Sequence, residues 1–121
     1  MRHSARVVGT PRADIASETR NSLTDERSTA RPSCWREKGV VSPVKNQGQC
    51  GSCWAFATTE MIESYAAIAT SSLPTLSSQQ ITSCTPNPLS CGGVGGCMGS
   101  IPQLGYTYIQ LFGHATEEDY P

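Results

Sequence analysis

Residues 47–56 read Gln47-Gly48-Gln49-Cys50-Gly51-Ser52-Cys53-Trp54-Ala55-Phe56. The glycines of this stretch permit a backbone path that is closed to residues with a side chain, and serine is a common residue at helix N-termini. The pattern therefore predicts a tight turn, capped by Ser52, and a helix that begins at Cys53. A cysteine in the first helical turn lies where the helix dipole and free backbone N–H groups favour the thiolate, which is the nucleophilic form. The side-chain amide of Gln47 can point to the same place and, with the N–H of Cys53, donate hydrogen bonds to an oxyanion.

The predicted helix beginning at Cys53 is long and amphipathic. Apolar residues recur at steps of three and four as far as the run Thr70-Ser71-Ser72, so one face of the helix is expected to be core. The residues predicted to face inward are Ala55, Phe56, Met61, Ile62, Tyr65, Ala66 and Ala69. The residues predicted to lie between them on the polar side are Glu60, Glu63 and Ser64.

Two shorter helices are predicted downstream. Ser77 and Gln80 have the spacing of a capping box, which predicts a helix that carries Ile81 and stops by Cys84. A third helix has Pro102 in its first turn and ends at Gly113. The residues predicted to face inward from this third helix are Leu104, Tyr108, Ile109 and Leu111. Trp35, before the first helix, is likewise expected to pack in the core. Between these two helices, residues 85–99 are rich in proline and glycine and contain two cysteines, so covalent bonds rather than regular structure are expected to fix them.

Length and composition narrow the class of protein. A chain of 121 residues suits one small domain, and its six cysteines indicate disulfide use in an oxidising compartment. The formal net charge of -1 gives no reason to expect nucleic acid or an anionic membrane as a partner. No apolar run is long enough for a membrane helix or for the core of a signal peptide. Residues 1–31 are rich in Arg, Ser and Thr and are predicted to be a disordered tail. An organelle-targeting peptide is the alternative there, which the four acidic residues disfavour.

The central stretch has a family resemblance. Residues 47–56, with Trp35-Arg36-Glu37-Lys38-Gly39 before them and Leu76-Ser77-Ser78-Gln79-Gln80 after them, resemble the papain family of cysteine peptidases, the cathepsins included. The run Cys-Gly-Ser-Cys-Trp at residues 50–54 is a specific signature. Over residues 32–121 the resemblance implies a mainly α fold, the left lobe of the α+β papain-like architecture, with a long central helix, two shorter helices and a disulfide-bonded glycine-rich loop. It also implies hydrolysis of peptide or protein substrates, without cofactor or metal, in a lysosome or outside the cell.

The resemblance also implies roles for individual residues. Cys53 matches the nucleophile and Gln47 the glutamine of the oxyanion hole, while the residues expected to bind substrate are Gly51, Ser52, Trp54, Gly99 and Ser100. The family's Gly-Cys-Asn-Gly-Gly segment corresponds to residues 96–100, where Ser100 replaces the second glycine and can crowd or re-aim the peptide-binding edge. The family's pairing implies a Cys50–Cys97 disulfide, with Cys91 as the rival partner. Cys84 then either bonds Cys91 or remains free. Cys34 stands where the family usually has aspartate.

The proton-transfer half of the site is expected elsewhere. A papain-like site needs a histidine and an asparagine about 130–150 residues after the nucleophile, whereas 68 residues follow Cys53 in this chain of 121. His114, the one histidine after Cys53, follows a helix-ending glycine and is predicted to be an exposed loop residue. We therefore expect a truncated left lobe that needs a second lobe as partner and has no appreciable peptidase activity alone. The alternative is a non-catalytic binding or inhibitory module. A redox dithiol or zinc site is disfavoured, because no strand leads into the Cys-x-x-Cys pair and no second such pair follows.

Overall fold

The computed structural model describes residues 34–121, so the predicted disordered tail at residues 1–31 lies outside the described part of the chain. Three α-helices follow one another: α1 (Cys53–Thr70), α2 (Ser78–Cys84) and α3 (Pro102–Phe112). Within residues 34–121 there is no strand, and extended segments meet only in two isolated bridges, Gly51 with Met98 and Leu76 with Thr116. The predicted mainly α fold, with one long and two shorter helices, is confirmed. No helix among these residues is long and apolar enough to cross a bilayer.

The first turn of α1 is capped by backbone. Ser52 occupies the N-cap position, as predicted, but its side chain makes no capping hydrogen bond. Its carbonyl instead accepts hydrogen bonds from the N–H groups of Ala55, at 2.8 Å, and Phe56, at 3.2 Å. At the other end Ser71 adopts a left-handed conformation with φ of 58° and donates its N–H to Ala67. The predicted bounds of α1 are therefore correct, while the predicted side-chain cap is not formed.

The start of α2 is tied to the C-terminal segment. Ser77 Oγ accepts a hydrogen bond from the N–H of Gln80 at 2.9 Å, which is the first half of the predicted capping box. The second half is not made, because Gln80 Oε1 accepts from the N–H of Ala115 at 2.8 Å. Ser77 donates its own N–H to the Ala115 carbonyl at 3.0 Å. The capping pair thus fastens α2 to the chain that follows α3.

All three helices contribute to one small core. Trp54 and Ala55 of α1 and Ile81 of α2 are buried, and Tyr108 and Ile109 of α3 pack against them. α3 can approach α1 closely because Gly105 stands at the crossing, where an added Cβ would lie 2.7 Å from Thr58 Oγ1. A side chain at position 105 would therefore push α3 away from α1.

The buried face of α1 differs from the predicted one. Met61, Tyr65 and Ala69 are exposed, although their apolar character predicted burial, and Glu63 is fully buried. The buried residues of α1 are Trp54, Ala55, Thr58, Thr59, Glu63 and Ala67. The apolar pattern predicted the wrong face because several of the buried residues are polar. One of them, Thr58, satisfies its hydroxyl by donating it to the Trp54 carbonyl at 2.8 Å.

Two further predictions of burial, for Leu111 and Trp35, are also wrong. Leu111 of α3 is 69% exposed, since it lies beyond the part of α3 that meets the core. Trp35, expected to pack in the core, is 54% exposed and has the Nζ atom of Lys38 at 4.4 Å from its ring centroid. An aromatic ring under an ammonium group is stabilised without full burial.

Candidate active site

Cys53 is the first residue of α1, and its free thiol is exposed. The N–H groups of Cys53 and Trp54, which begin the helix, have no intrahelical acceptor, and the helix dipole is positive at this end. This is the arrangement predicted from the sequence, and its chemical consequence is a thiol accessible to an electrophile.

The turn before Cys53 is fastened to the glycine-rich loop. Cys50 is disulfide-bonded to Cys97, with an S–S distance of 2.01 Å, and the Gly51 N–H donates to the Cys97 carbonyl at 2.9 Å. A Cβ at position 51 would lie 2.6 Å from that carbonyl oxygen, so only glycine permits this approach. The predicted Cys50–Cys97 pair is confirmed, and Cys91 is not the partner of Cys50. Cys84 and Cys91 are both free thiols, so the disulfide considered between them is not formed.

Gln47 lies on the same turn. Its side-chain Nε2 donates a hydrogen bond to the Cys50 carbonyl at 2.8 Å. Gly48, which follows it, has φ of 61°, in the region that favours glycine. Because a primary amide carries two N–H donors, the bond to Cys50 leaves one donor of Gln47 for a further acceptor. One N–H group of the Gln47 amide is thus bonded within the turn, and the residue is exposed to solvent.

Trp54 is a core residue. Its side chain is only 3% exposed, and its indole N–H donates to the Gly96 carbonyl at 3.1 Å. The ring therefore holds the glycine-rich loop against α1 and does not offer a face to a ligand at the surface. Its expected contact with substrate is replaced by an indirect role, that of supporting the loop that carries residues 97–100.

Gly99 and Ser100 form the edge opposite the turn. Gly99 has φ of 90°, and its carbonyl accepts the Gly95 N–H at 2.8 Å. The Ser100 hydroxyl is 3.2 Å from Asn87 Nδ2, which donates to it. The side chain that replaces the family's glycine is thus engaged by the loop. Asn87 has no place in the sequence prediction. Its signal is an asparagine inside a Pro- and Gly-rich loop, where its amide can bond to nearby backbone.

His114 is not the exposed residue that the sequence predicted. Its Nε2 atom lies 2.8 Å from the Ser77 carbonyl, and its Nδ1 atom is buried without a partner among the described residues. Burial lowers the pKa of His114, and the nearby Glu63 carboxylate opposes that shift. Glu63 follows Cys53 by ten residues on α1, which is about 15 Å of helix axis. His114 therefore belongs to the middle of the lobe, away from the thiol.

A buried ion pair, which sequence reasoning missed, anchors the segment leading into the turn. Lys45 Nζ lies 2.6 Å from each carboxylate oxygen of Glu63, which is fully buried. Glu63 also accepts the Leu76 N–H at 2.8 Å. Lys45 precedes Gln47 by two residues, so the ion pair fixes the approach of the chain to the turn. The signal was a glutamate on a helix face together with a lysine 18 residues upstream, a separation that no local pattern reports.

The fold and the site define a class of protein: a small helical lobe with an exposed thiol on the first residue of its longest helix, backed by a disulfide-bonded loop. Residues 31–121 match the family profile described as papain family cysteine protease. The chain is 46% identical over 88 residues to the oryzain beta chain of Oryza sativa subsp. japonica, and 47% identical over 89 residues to pro-cathepsin H of Bos taurus. These alignments cover 72% of this chain but 18% and 25% of those relatives, so the chain spans a quarter or less of their length.

Solved structures agree with the sequence relatives. The proform of the Amb a 11 cysteine protease, a ragweed pollen allergen, superposes with a TM-score of 0.62 and 41% identity over 72% of this chain and 26% of that one. A Carica candamarcensis cysteine protease in complex with E-64 gives a TM-score of 0.63 and 37% identity over 72% of this chain and 38% of that one. The chain belongs to the papain family of cysteine proteases.

Proposed function

We propose that residues 32–121 are the nucleophile-bearing lobe of a papain-like cysteine peptidase that hydrolyses peptide bonds through a thioester. Cys53 attacks the scissile carbonyl, and the Gln47 amide and the Cys53 N–H donate to the oxyanion. Gly51 and the edge formed by Gly99 and Ser100 receive the substrate backbone, whereas Ser52, also expected there, is only 2% exposed and offers no surface to a ligand. The observation that carries the proposal is the exposed Cys53 thiol at the start of α1, on a turn that the Cys50–Cys97 disulfide holds.

The proton acceptor for Cys53 comes, in this proposal, from a second lobe. His114 is bonded to Ser77, with its other ring nitrogen buried, so it does not serve the thiol. α1 presents an apolar face on which Met61, Tyr65 and Ile68 are 48%, 64% and 55% exposed. These residues are spaced by four and three, so they lie on one side of the helix. An apolar helix face of this kind is suited to a partner surface, and the second lobe is the partner proposed for it.

Selective alkylation tests the assignment of the nucleophile. The chain is treated with a limiting amount of iodoacetamide at neutral pH and mapped by peptide mass. Cys53 is expected to react ahead of Cys34 and Cys84, which are also exposed but lie outside a first helical turn. Those two thiols serve as internal controls for exposure. Equal labelling of the three cysteines would contradict activation at the helix start.

A turnover assay tests the need for the second lobe. The chain alone is expected not to hydrolyse a fluorogenic peptide, and turnover that Cys53→Ala abolishes would refute this expectation. The transcript beyond the Pro121 codon is expected to encode a histidine and, after it, an asparagine. A stop codon at that point would favour the alternative function, a non-catalytic binding or inhibitory module.

The compartment proposed for this protein is oxidising, lysosomal or secretory. The Cys50–Cys97 disulfide supports it, because structural disulfides persist where thiols are not kept reduced. Peptide mapping of the native protein under non-reducing conditions should recover the Cys50–Cys97 link, and a fully reduced pair would contradict the compartment.

A further inference from the structure

We propose that Asn87 is a positioning residue for peptide binding. Its amide holds the Ser100 side chain and thereby fixes the shape of the edge formed by Gly99 and Ser100. The inference rests on the proposed function, since it assumes that this edge receives substrate backbone. It adds a residue outside the turn and outside the edge itself.

Asn87 makes several hydrogen bonds within its loop. Its Nδ2 atom lies 3.0 Å from the Cys91 carbonyl, 2.9 Å from the Gly93 carbonyl and 3.2 Å from Ser100 Oγ, so its two hydrogens are shared among three acceptors. Its Oδ1 atom accepts the Cys91 N–H at 2.8 Å. One partly buried amide thus joins the middle of the loop to its last residue. A loop of this composition has no helix or strand to order it, so these bonds and the disulfide fix its shape.

The backbone of residues 92–93 is in direct contact with the backbone of residues 98–100. A Cβ on Gly92 would lie 2.9 Å from the Ser100 carbonyl oxygen, and a Cβ on Gly99 would lie 2.7 Å from the Gly92 carbonyl oxygen. No side chain separates the runs at these points. A displacement of residues 92–93 would therefore displace residues 98–100 as well. Because Asn87 holds the Gly93 carbonyl, it fixes the rear surface against which the edge rests.

Ser100 stands where the family has a glycine. A serine side chain at position 100 can rotate toward a bound peptide or away from it. The bond from Asn87 Nδ2 selects the rotamer that faces the loop. With the Ser100 side chain held in this way, only backbone atoms face outward at the edge, as they would if residue 100 were glycine. The bond also makes the backbone less flexible than it would be with glycine. The crowding expected at Ser100 is thereby avoided, and the edge is pre-organised for an extended peptide.

The experiment measures peptide recognition separately from thiol reactivity. The full chain reacts with N-acetyl-Leu-Leu chloromethyl ketone, in which the Cys53 sulfur displaces chloride and the thiol proton passes to solvent, and alkylation of Cys53 is followed by peptide mass. The half-saturating probe concentration measures how well the edge binds peptide. The limiting rate and the rate with iodoacetamide measure the reactivity of the Cys53 thiol. Asn87→Ala is expected to raise the half-saturating concentration about fivefold, as for loss of one hydrogen bond, with the limiting rate and the iodoacetamide rate unchanged. Leu89→Ala, in the same loop with a side chain 83% exposed, is the matched control and should change nothing.

Two further measurements make the outcomes decisive. If Asn87 acts through Ser100, then Ser100→Ala should raise the half-saturating concentration less than Asn87→Ala, and the double variant should match Asn87→Ala alone. Amide exchange at Gly95, whose N–H is bonded to the Gly99 carbonyl, should accelerate in Asn87→Ala and not in Leu89→Ala. Faster exchange with unchanged probe affinity would reduce Asn87 to a structural residue and overturn the inference, as would no change in either. If the unaltered chain reacts with iodoacetamide but shows no saturation by the peptide probe, the proposed peptide binding fails for this lobe and the inference fails with it.

Discussion

The segment that precedes α1 is held at two points, and the two anchors differ in kind. At Cys50 the anchor is covalent and runs to Cys97 in the glycine-rich loop. At Lys45 it is ionic and runs to Glu63 in the middle of α1. A disulfide stabilises mainly by restricting the unfolded chain, whereas the attraction within a buried ion pair acts in the folded state, against the cost of removing two charges from water. The turn before Cys53 therefore depends both on a disulfide, which reduction breaks, and on an ion pair, which the loss of either partner breaks.

The largest effect is expected at the ionic anchor. Glu63→Ala leaves Lys45 Nζ, whose side chain is 19% exposed, without its carboxylate and removes the acceptor of the Leu76 N–H. Loss of one partner from a buried pair costs about 3–5 kcal/mol, and the orphaned Leu76 amide places this variant near the upper end. Urea unfolding at neutral pH measures it. Glu60→Ala on the same helix is the control, since Glu60 is in neither anchor and should shift the midpoint little.

A double variant separates the ion pair from its orphaned charge. Lys45→Met with Glu63→Leu removes both charges and keeps apolar volume, so it is expected to destabilise the lobe less than Glu63→Ala alone. A double variant less stable than Glu63→Ala would mean that the unpaired Lys45 charge is not what destabilises Glu63→Ala.

The covalent anchor is expected to contribute about 4 kcal/mol, because the disulfide closes a loop with a sequence separation of 47. Urea unfolding of the Cys50→Ser, Cys97→Ser variant tests this, and Cys84→Ser, which removes an exposed free thiol, is the control. The unaltered chain in excess reductant should unfold at the same urea concentration as the double serine variant. Equal midpoints with and without reductant would show that the loop is held by hydrogen bonds and not by the disulfide.

These two anchors also mark what the sequence can predict. The Cys50–Cys97 pair was implied by the family resemblance of two short motifs, residues 50–54 and 96–100, and the helix bounds follow from Pro102, Gly113 and the serines at the helix starts. The Lys45–Glu63 pair could not be predicted in this way, because a charged residue on a helix is read as solvated unless its distant partner is known. The same limit applies to Asn87 and His114, whose partners become neighbours only when the loop and the C-terminal segment fold back on α2. Trp54 illustrates an intermediate case: its place at the nucleophile was predicted, but its burial was not.

A smaller effect is expected midway between the anchors. Gly105 meets Thr58, which follows Cys53 by five residues and precedes Glu63 by five. Gly105→Ala must move α3, since the new Cβ would lie 2.7 Å from Thr58 Oγ1, and overpacking of this kind costs about 1–3 kcal/mol. Gly39→Ala is unsuitable as a control because Gly39 has φ of 68°, so Thr107→Ala on the exposed side of α3 serves instead. If iodoacetamide reactivity at Cys53 falls together with the urea midpoint, the two anchors act on one rigid helix. If only the midpoint falls, the thiol end is independent of the middle of α1.

The smallest effect is expected at His114, beside the ionic anchor. Desolvation lowers the pKa of His114, and although the Ser77 carbonyl and Glu63 oppose the shift, Lys45 adds to it. The ordinary pKa of 6.5 then describes the unfolded chain, which takes up the proton first on acidification. Stability is therefore complete above pH 6.5 and falls below it until the folded state is protonated as well. Urea midpoints of the chain and of His114→Gln between pH 7.5 and 5 measure this, and their difference should shrink or reverse as the pH falls. A difference that grows on acidification would mean that protonated His114 is stabilised by Glu63 more than it is penalised by burial, so that the ionic anchor would hold three charges in place of two.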